Sequence, residues 1–473
     1  MDHKVRSGLK AAAKLSLLSS LVASLVGIAA CNGSNESPPQ SSQSSIAPIS
    51  SSSLSSSEHG QSSQASSSSV VASSSSVASV NPTSSSSASS SVERPSGPPV
   101  QTGAPNATDQ SPAFPEQTRA PEVNSSYELD VQVLASNEGV PWGIDFLPDG
   151  RVLMTLRNGG MRIVSTDGNV TSVSGTPELY TSFQGGLLDV KLDPDFDNTR
   201  LVYFSYSENR GNNQNGTTVA RARLSNDESQ LDNTEVIFRQ QPAWDSALHF
   251  GSRLVWSNDG KLFVTLGERS LEAPRQLAQT LDNTIGKIVR INADGSVPSD
   301  NPFVSTANAS EEIWSYGHRN VQGAALHPET GELWTIEHGP RGGDELNIPQ
   351  PGLNYGWPVI TYGEDYNRTP IGNGLTAMDG MEQPAYYWDP VIAPSDMTFY
   401  TGDLFPEWQG NVFIASLNPG GLVRLMVDGS TVIGEERLLS YLGRVRDVAQ
   451  GPDGALYVTS DNNQYSLVRI TPR

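Results

Sequence analysis

One phrase, repeated along the chain, limits the fold more than any other feature. Phe146-Leu-Pro-Asp-Gly-Arg-Val-Leu-Met-Thr155 returns as Trp256-Ser-Asn-Asp-Gly-Lys-Leu-Phe-Val-Thr265. It recurs as Leu326-His-Pro-Glu-Thr-Gly-Glu-Leu-Trp-Thr335 and as Gln450-Gly-Pro-Asp-Gly-Ala-Leu-Tyr-Val-Thr459. Weaker copies are Leu192-Asp-Pro-Asp-Phe196 ahead of Leu201–Tyr206, and Phe405-Pro-Glu-Trp-Gln-Gly-Asn-Val-Phe-Ile-Ala415. Each copy joins the end of an apolar strand, a Pro/Asp/Gly turn and a second β-rich strand, and Asp-Gly between such runs is a strong hairpin signal. Six copies at intervals of roughly 45–80 residues predict an all-β chain folded as a six-bladed β-propeller of four-stranded blades. A β-sandwich array would have to produce six such turns by coincidence, and no stretch sustains a helical period. Tyr127–Leu134 is predicted to complete the blade holding Leu456–Thr459 and Ser466–Ile470, which closes the ring and removes its open edges.

The propeller is assigned to residues 125–473, and the chain ahead of it reads differently. Lys4, Arg6, Lys10 and Lys14 precede an apolar run, Leu15–Ala30, that ends in small residues before Cys31. That order describes a secretory leader over residues 1–31. The run is shorter than the roughly 20 apolar residues of a comfortable membrane span. Cys31, the chain's single cysteine, resembles the lipidated cysteine of the bacterial lipobox; the alternative is ordinary cleavage beside an incidental thiol. A lipid on Cys31 would be the only link to a membrane. Asn32 after it points, by resemblance to Gram-negative sorting, to the outer membrane, facing periplasm or surface. Residues 32–124 are dominated by serine, cannot bury enough apolar surface to fold, and predict a disordered tether. With no disulfide available, the fold must rest on its own core. A formal charge of −21 argues against a nucleic-acid partner, whose phosphates need cationic patches.

Few side chains in the folded part offer chemistry. Of the histidines, His327 lies in a repeat turn and reads as structural. His249 precedes a blade strand, and one hairpin later comes Glu268, which can return to its neighbourhood. A carboxylate on one imidazole nitrogen fixes the tautomer and leaves the other basic; spacing alone does not separate that role from a structural histidine. Arg319, in Tyr316-Gly-His-Arg-Asn-Val-Gln-Gly323, and the alternating pair Arg444 and Arg446 sit at strand–loop junctions of different blades. Converging on the central channel they would favour a polycarboxylate ligand; the competing reading is salt bridges to blade carboxylates. No Walker loop, dinucleotide fingerprint, zinc motif or Gly-x-Ser-x-Gly elbow is present. Trp334–Trp357, with glycine, proline, charge and aromatics interleaved, reads as one long ordered loop, a rarity that usually marks function.

Six strings in order resemble the soluble pyrroloquinoline-quinone (PQQ) dependent aldose sugar dehydrogenases, relatives of soluble glucose dehydrogenase. They are Gln184-Gly-Gly-Leu-Leu-Asp189, His249-Phe-Gly-Ser-Arg-Leu254, Ser315-Tyr-Gly-His-Arg-Asn320, Glu337-His-Gly-Pro-Arg-Gly-Gly-Asp-Glu-Leu-Asn347, Asn354-Tyr-Gly-Trp357 and Arg444-Val-Arg-Asp447. The resemblance implies oxidation of the anomeric carbon of an aldose to a lactone, with a quinone or cytochrome as electron acceptor. It implies that His249 is the general base, that Glu268 orients it, and that Arg319 assists as hydride passes to Ca2+-polarised PQQ. Gln184, Arg319, Asn320, Tyr366, Trp388, Asn418, Arg444 and Arg446 would contact PQQ. The carbonyls of Gly339 and Pro340 would ligate Ca2+, a hard cation suited to oxygen ligands, with Glu345 and Tyr355 at a structural ion. Two positions depart from the pattern: Leu248 replaces an aspartate, and Asn418 replaces a lysine, which implies weaker cofactor holding. The alternative class, a silent propeller that binds carbohydrate or protein, is expected to have lost the base and the arginines. A metal-dependent lactonase would need a set of channel carboxylates that the remaining residues do not supply.

Overall fold

A computed structural model describes residues 94–473; the leader with Cys31 and residues 32–93 of the tether lie outside the described residues. The described chain forms six antiparallel sheets of four strands each. In chain order the blades span residues 141–173, 187–239, 251–316, 321–388, 394–438 and 445–472. The last is completed by Leu129–Ala135, which pairs antiparallel with Leu467–Pro472, so the ring closes as predicted. Every copy of the repeated phrase falls on the junction between the first and second strand of a blade, for example Pro141–Phe146 into Val152–Leu156. The apolar faces are buried between neighbouring blades: Ile144, Met154, Tyr457 and Leu467, for instance, pack blade six on blade one. Sheets stacked face to face in this way need apolar side chains on both faces, which is why the strands read as near-continuous runs.

Two local devices build the channel. The first strand of all six blades carries a register irregularity at its start, at Pro141/Ile144, Leu187/Val190, Gly251/Leu254, Val321/Gly323, Pro394/Asp396 and Val445/Asp447. A bulge re-aims side chains out of the pleat, and here the bulged residues include Trp142, Asp189, Arg253, Gln322, Ser395 and Arg446. The second device is a hydroxyl that ties one blade to the next at four of the six seams. Thr155 donates to the Leu188 carbonyl, Ser205 to Ser252, Thr265 to Val321 and Ser395 to Val445, at 2.5–2.9 Å.

The long Trp334–Trp357 loop is not one loop. Asp344–Asn347 pairs with Leu333–Glu337 and is the third strand of blade four, so residues 338–343 are a hairpin turn. Alternating burial of Asp344 and Leu346 supplies the strand pattern, which the flanking glycines hide from a sequence reading. The tether also ends sooner than expected. From Arg94 onward the chain is laid against blades four and five: Arg94 pairs with Asp428 at 3.0 Å, the amides of Asn106 and Ala107 donate to the Asp389 carboxylate at 2.9 Å, and Glu122 bridges Glu435. These contacts cover the exposed edge of blade five, a common defence against edge pairing.

Candidate active site

The channel opens at one end into a cavity of about 630 Å3, within the range of small-molecule sites. His249, Gln184, Arg319, Asn320, Tyr366, Arg444 and Arg446 all line it, so seven sequence-predicted residues from five segments meet at one place.

His249 is held on its floor in a left-handed backbone conformation, φ +50°, which a bulky residue adopts only when its surroundings enforce it. Its amide donates to Gln184 Oε1 at 2.9 Å, its carbonyl accepts from Arg269 at 3.1 Å, and its Nδ1 meets Glu268 Oε1 at 3.1 Å. Gly267 makes the close approach possible, since a Cβ there would fall 2.1 Å from the His249 carbonyl oxygen. Burial and then the Arg319 charge push the imidazole pKa below its ordinary value, with Glu268 opposing them only in part. Burial works against the Glu268 charge, but His249, Arg319 and the Ser270 amide outweigh it and hold this carboxyl below its usual range. The pair therefore rests near neutral pH as imidazole and carboxylate. Nδ1–H is then the group donated to Glu268, and Nε2 is a free lone pair with no partner among the described residues.

Around this base the cavity is cationic. Arg444 and Arg446 share Asp461 at 3.2 Å each, while Arg319 donates to the His338 carbonyl at 3.0 Å. The Nε atoms of Arg157, Arg319 and Arg446 are buried with no hydrogen-bond partner, and Arg157 forms no ion pair among the described residues. Unpartnered guanidinium donors converging in a cavity suit a polyanion with carboxylate oxygens, and PQQ is such a molecule. The donor set fits it.

Four further expected residues concern the cation. Gly339, Glu345 and Tyr355 close on a second cavity of about 10 Å3, beside Glu337 and Thr361; Pro340 does not line it. The Gly339 and Pro340 carbonyls belong to buried residues and accept no hydrogen bond among the described residues, and buried carbonyls normally have partners. Burial and then the Glu337 charge push the Glu345 carboxyl well above its ordinary value. Two neighbouring buried carboxyls and free carbonyls are the surroundings a hard cation relieves. The Tyr355 hydroxyl is already used, donating to the Ile348 carbonyl and accepting from the Gln350 amide, so only its carbonyl remains for an ion. Among the described residues no cluster of three or more His, Cys, Asp or Glu forms a metal cage.

Two expected cofactor contacts fall elsewhere. Trp388 belongs to the outermost strand of blade four, Tyr386–Trp388, and its indole donates to Glu435 at 3.0 Å inside the core between blades four and five. An outer strand is the farthest of the four from the channel, so Trp388 does not reach the cavity. Asn418 is exposed, and its neighbour Leu417 faces the cavity instead. His318 is satisfied on both nitrogens, by Ser315 and Glu337, and His327 packs on Phe399 as a structural residue. The sequence reading passed over Arg157, His338 and Trp142, which line the cavity. It also passed over Arg253, whose guanidinium plugs the axis below the site on Asp189, Asp447 and Asp396 at 2.8–3.0 Å. One signal was available: the position two beyond the repeat's last threonine holds Arg157, Gly267, Glu337 and Asp461, all at or beside the site. Strand alternation puts that position on the threonine's own face.

The profile of the glucose/sorbosone dehydrogenase family matches residues 139–469. Aldose sugar dehydrogenase YliI of Escherichia coli is 43% identical over 350 residues, covering 73% of this chain and 93% of the relative. The crystal structure of the soluble E. coli aldose sugar dehydrogenase in its apo-form superposes with a TM-score of 0.70 at 43% identity, covering 73% of this chain and all of that one. The PQQ-bound aldose sugar dehydrogenase of Streptomyces coelicolor superposes with a TM-score of 0.61 at 26% identity, over 74% of this chain and all of that one.

Proposed function

The chain belongs to the glucose/sorbosone dehydrogenase family, and from that premise we propose that it is a PQQ- and Ca2+-dependent aldose sugar dehydrogenase that oxidises the anomeric carbon of its sugar to the lactone. The observation that carries this reading is His249, a neutral imidazole with Nε2 free, fixed by Glu268 on the floor of an arginine-lined cavity.

His249 Nε2 accepts the proton of the C1 hydroxyl, and Glu268 stabilises the imidazolium that results. Gln184 holds the His249 backbone, so the base does not swing with its loop. Arg319, Arg444 and Arg446, with Asn320, would bind the cofactor's carboxylates and quinone oxygens, and Arg319 would place its positive charge beside them. PQQ, when bound, supplies the acceptor for the hydride that leaves C1. The Gly339 and Pro340 carbonyls would hold the calcium, and Glu345 with the Tyr355 carbonyl would serve a structural ion. A quinone or a cytochrome would serve as the electron acceptor. The leader and Cys31 export the protein and anchor it by lipid, outer membrane being the expected site, and the serine-rich segment holds the propeller off that surface.

A dye-reduction assay of apo-protein supplied with PQQ and Ca2+, over a panel of aldoses, tests the reading. PQQ-dependent turnover is expected, and no PQQ binding at micromolar concentration would refute it.

A further inference from the structure

Phe183 is 74% exposed although it lies on the wall of an otherwise well-packed cavity. Its backbone is left-handed, φ +52°, a conformation in which a bulky aromatic side chain is strained. The neighbouring contacts hold it there: the Gln184 amide donates to the Ala247 carbonyl at 3.1 Å, the Gly185 amide to Ser182 at 2.9 Å, and Gln184 Oε1 clamps the His249 amide. A glycine would meet these demands with no strain. The phenyl ring makes no aromatic pair among the described residues and belongs to none of the hydrophobic clusters. Strain of this kind persists at functional sites, where the observed outlier points to a use.

The ring's position suggests that use. His249 lies on the floor, so the reacting sugar ring must lie deep. Phe183 stands at the mouth, as does Tyr366, which is 68% exposed and comes from blade four on a different wall. Flat apolar faces at a polar cavity mouth match the C–H face of a pyranose ring, with solvent left for its hydroxyls.

We propose that Phe183 is the platform of an outer subsite that takes the second sugar unit of a reducing disaccharide or longer oligosaccharide. This rests on the aldose dehydrogenase reading above. The subsite adds no chemistry; it binds the unit next to the one being oxidised and so sets selectivity for chain length.

The test compares wild type with Phe183→Gly, using glucose, maltose and cellobiose under PQQ saturation, with PQQ titration and thermal melting as controls. The proposal expects KM for the disaccharides to rise about tenfold, the loss of one stacking contact, while glucose kinetics stay within about twofold. PQQ affinity stays unchanged, and Tm is equal or higher because the strained φ is relieved. An equal change for mono- and disaccharides, or none for either, overturns the subsite. Wild-type protein that oxidises no aldose overturns instead the reading on which it rests.

Discussion

At the scale of the residue, the proposed activity depends on one imidazole kept neutral by burial and by Arg319. Its pKa lies below the ordinary 6.5. The proton-accepting form is therefore fully present above that pH and is lost as pH falls through the depressed value. kcat/KM measured against pH should be flat above about 6.5 and fall about tenfold per unit only below the depressed pKa. Glu268 is the group that raises this pKa, so Glu268→Gln should move the acid limb further down while the plateau falls at least about tenfold. A limb that stays in place or moves up would remove Glu268 from the dyad. The base and its cationic surroundings were legible in the sequence because His249, Arg319, Asn320, Arg444 and Arg446 sit inside contiguous strings at strand ends. Trp388 was misplaced because a string does not reveal which of a blade's four strands it forms, and only the inner ones reach the channel. Arg157 was missed because nothing in its local string, Leu-Arg-Asn-Gly, sets it apart; only its position in the repeat does.

At the scale of the element, the repeat marks one junction per blade, and its closing threonine is more than a β-former. Thr265 accepts from the Arg253 amide at 2.9 Å and donates to the Val321 carbonyl in the next blade at 2.9 Å. Thr265→Val keeps the shape and strands both partners in a buried seam, which should cost about 1–3 kcal/mol in denaturant unfolding. A neutral substitution would mean that the seam is held by apolar packing alone. The hairpins were legible because Asp-Gly turns carry their own signal. The bulges were not, since an extra residue in a first strand leaves no mark in apolar periodicity, and yet they deliver Arg446, Gln322 and Trp142 to the cavity. The turn at 338–343 was read as part of a longer loop because glycine and proline density masks a four-residue strand.

At the scale of the whole molecule, the ring is drawn together at its axis by charge. Arg253, fully buried and 4.5 Å from the Trp142 ring centre, joins Asp189 of blade two, Asp396 of blade five and Asp447 of blade six. Burial pushes Asp189 and Asp396 up against the pull of Arg253 and, more weakly, of Lys191, so Arg253 is the main cation these carboxylates have. Arg253→Leu leaves them with Lys191 as the one nearby cation and should destabilise the propeller by about 3–5 kcal/mol, measured as a shift in the denaturation midpoint with unchanged slope. A smaller loss would mean that water or protons replace the cation readily. Six blades and their closure could be read from repeat count and from the edge-strand argument; the axial ion cluster could not, because its members are more than fifty residues apart in sequence and converge only when the ring closes.

This ring is proposed to hold PQQ beside His249 so that an aldose reduces it. The most direct measurement is a single turnover: protein loaded with PQQ and Ca2+ is mixed with glucose, and reduction of the bound quinone is followed optically in wild type and in His249→Ala at matched PQQ occupancy. The account predicts rapid reduction in wild type and a rate about 10²–10⁴-fold lower in the variant, with PQQ affinity preserved. Equal rates in the two proteins, or PQQ that binds neither, would contradict it.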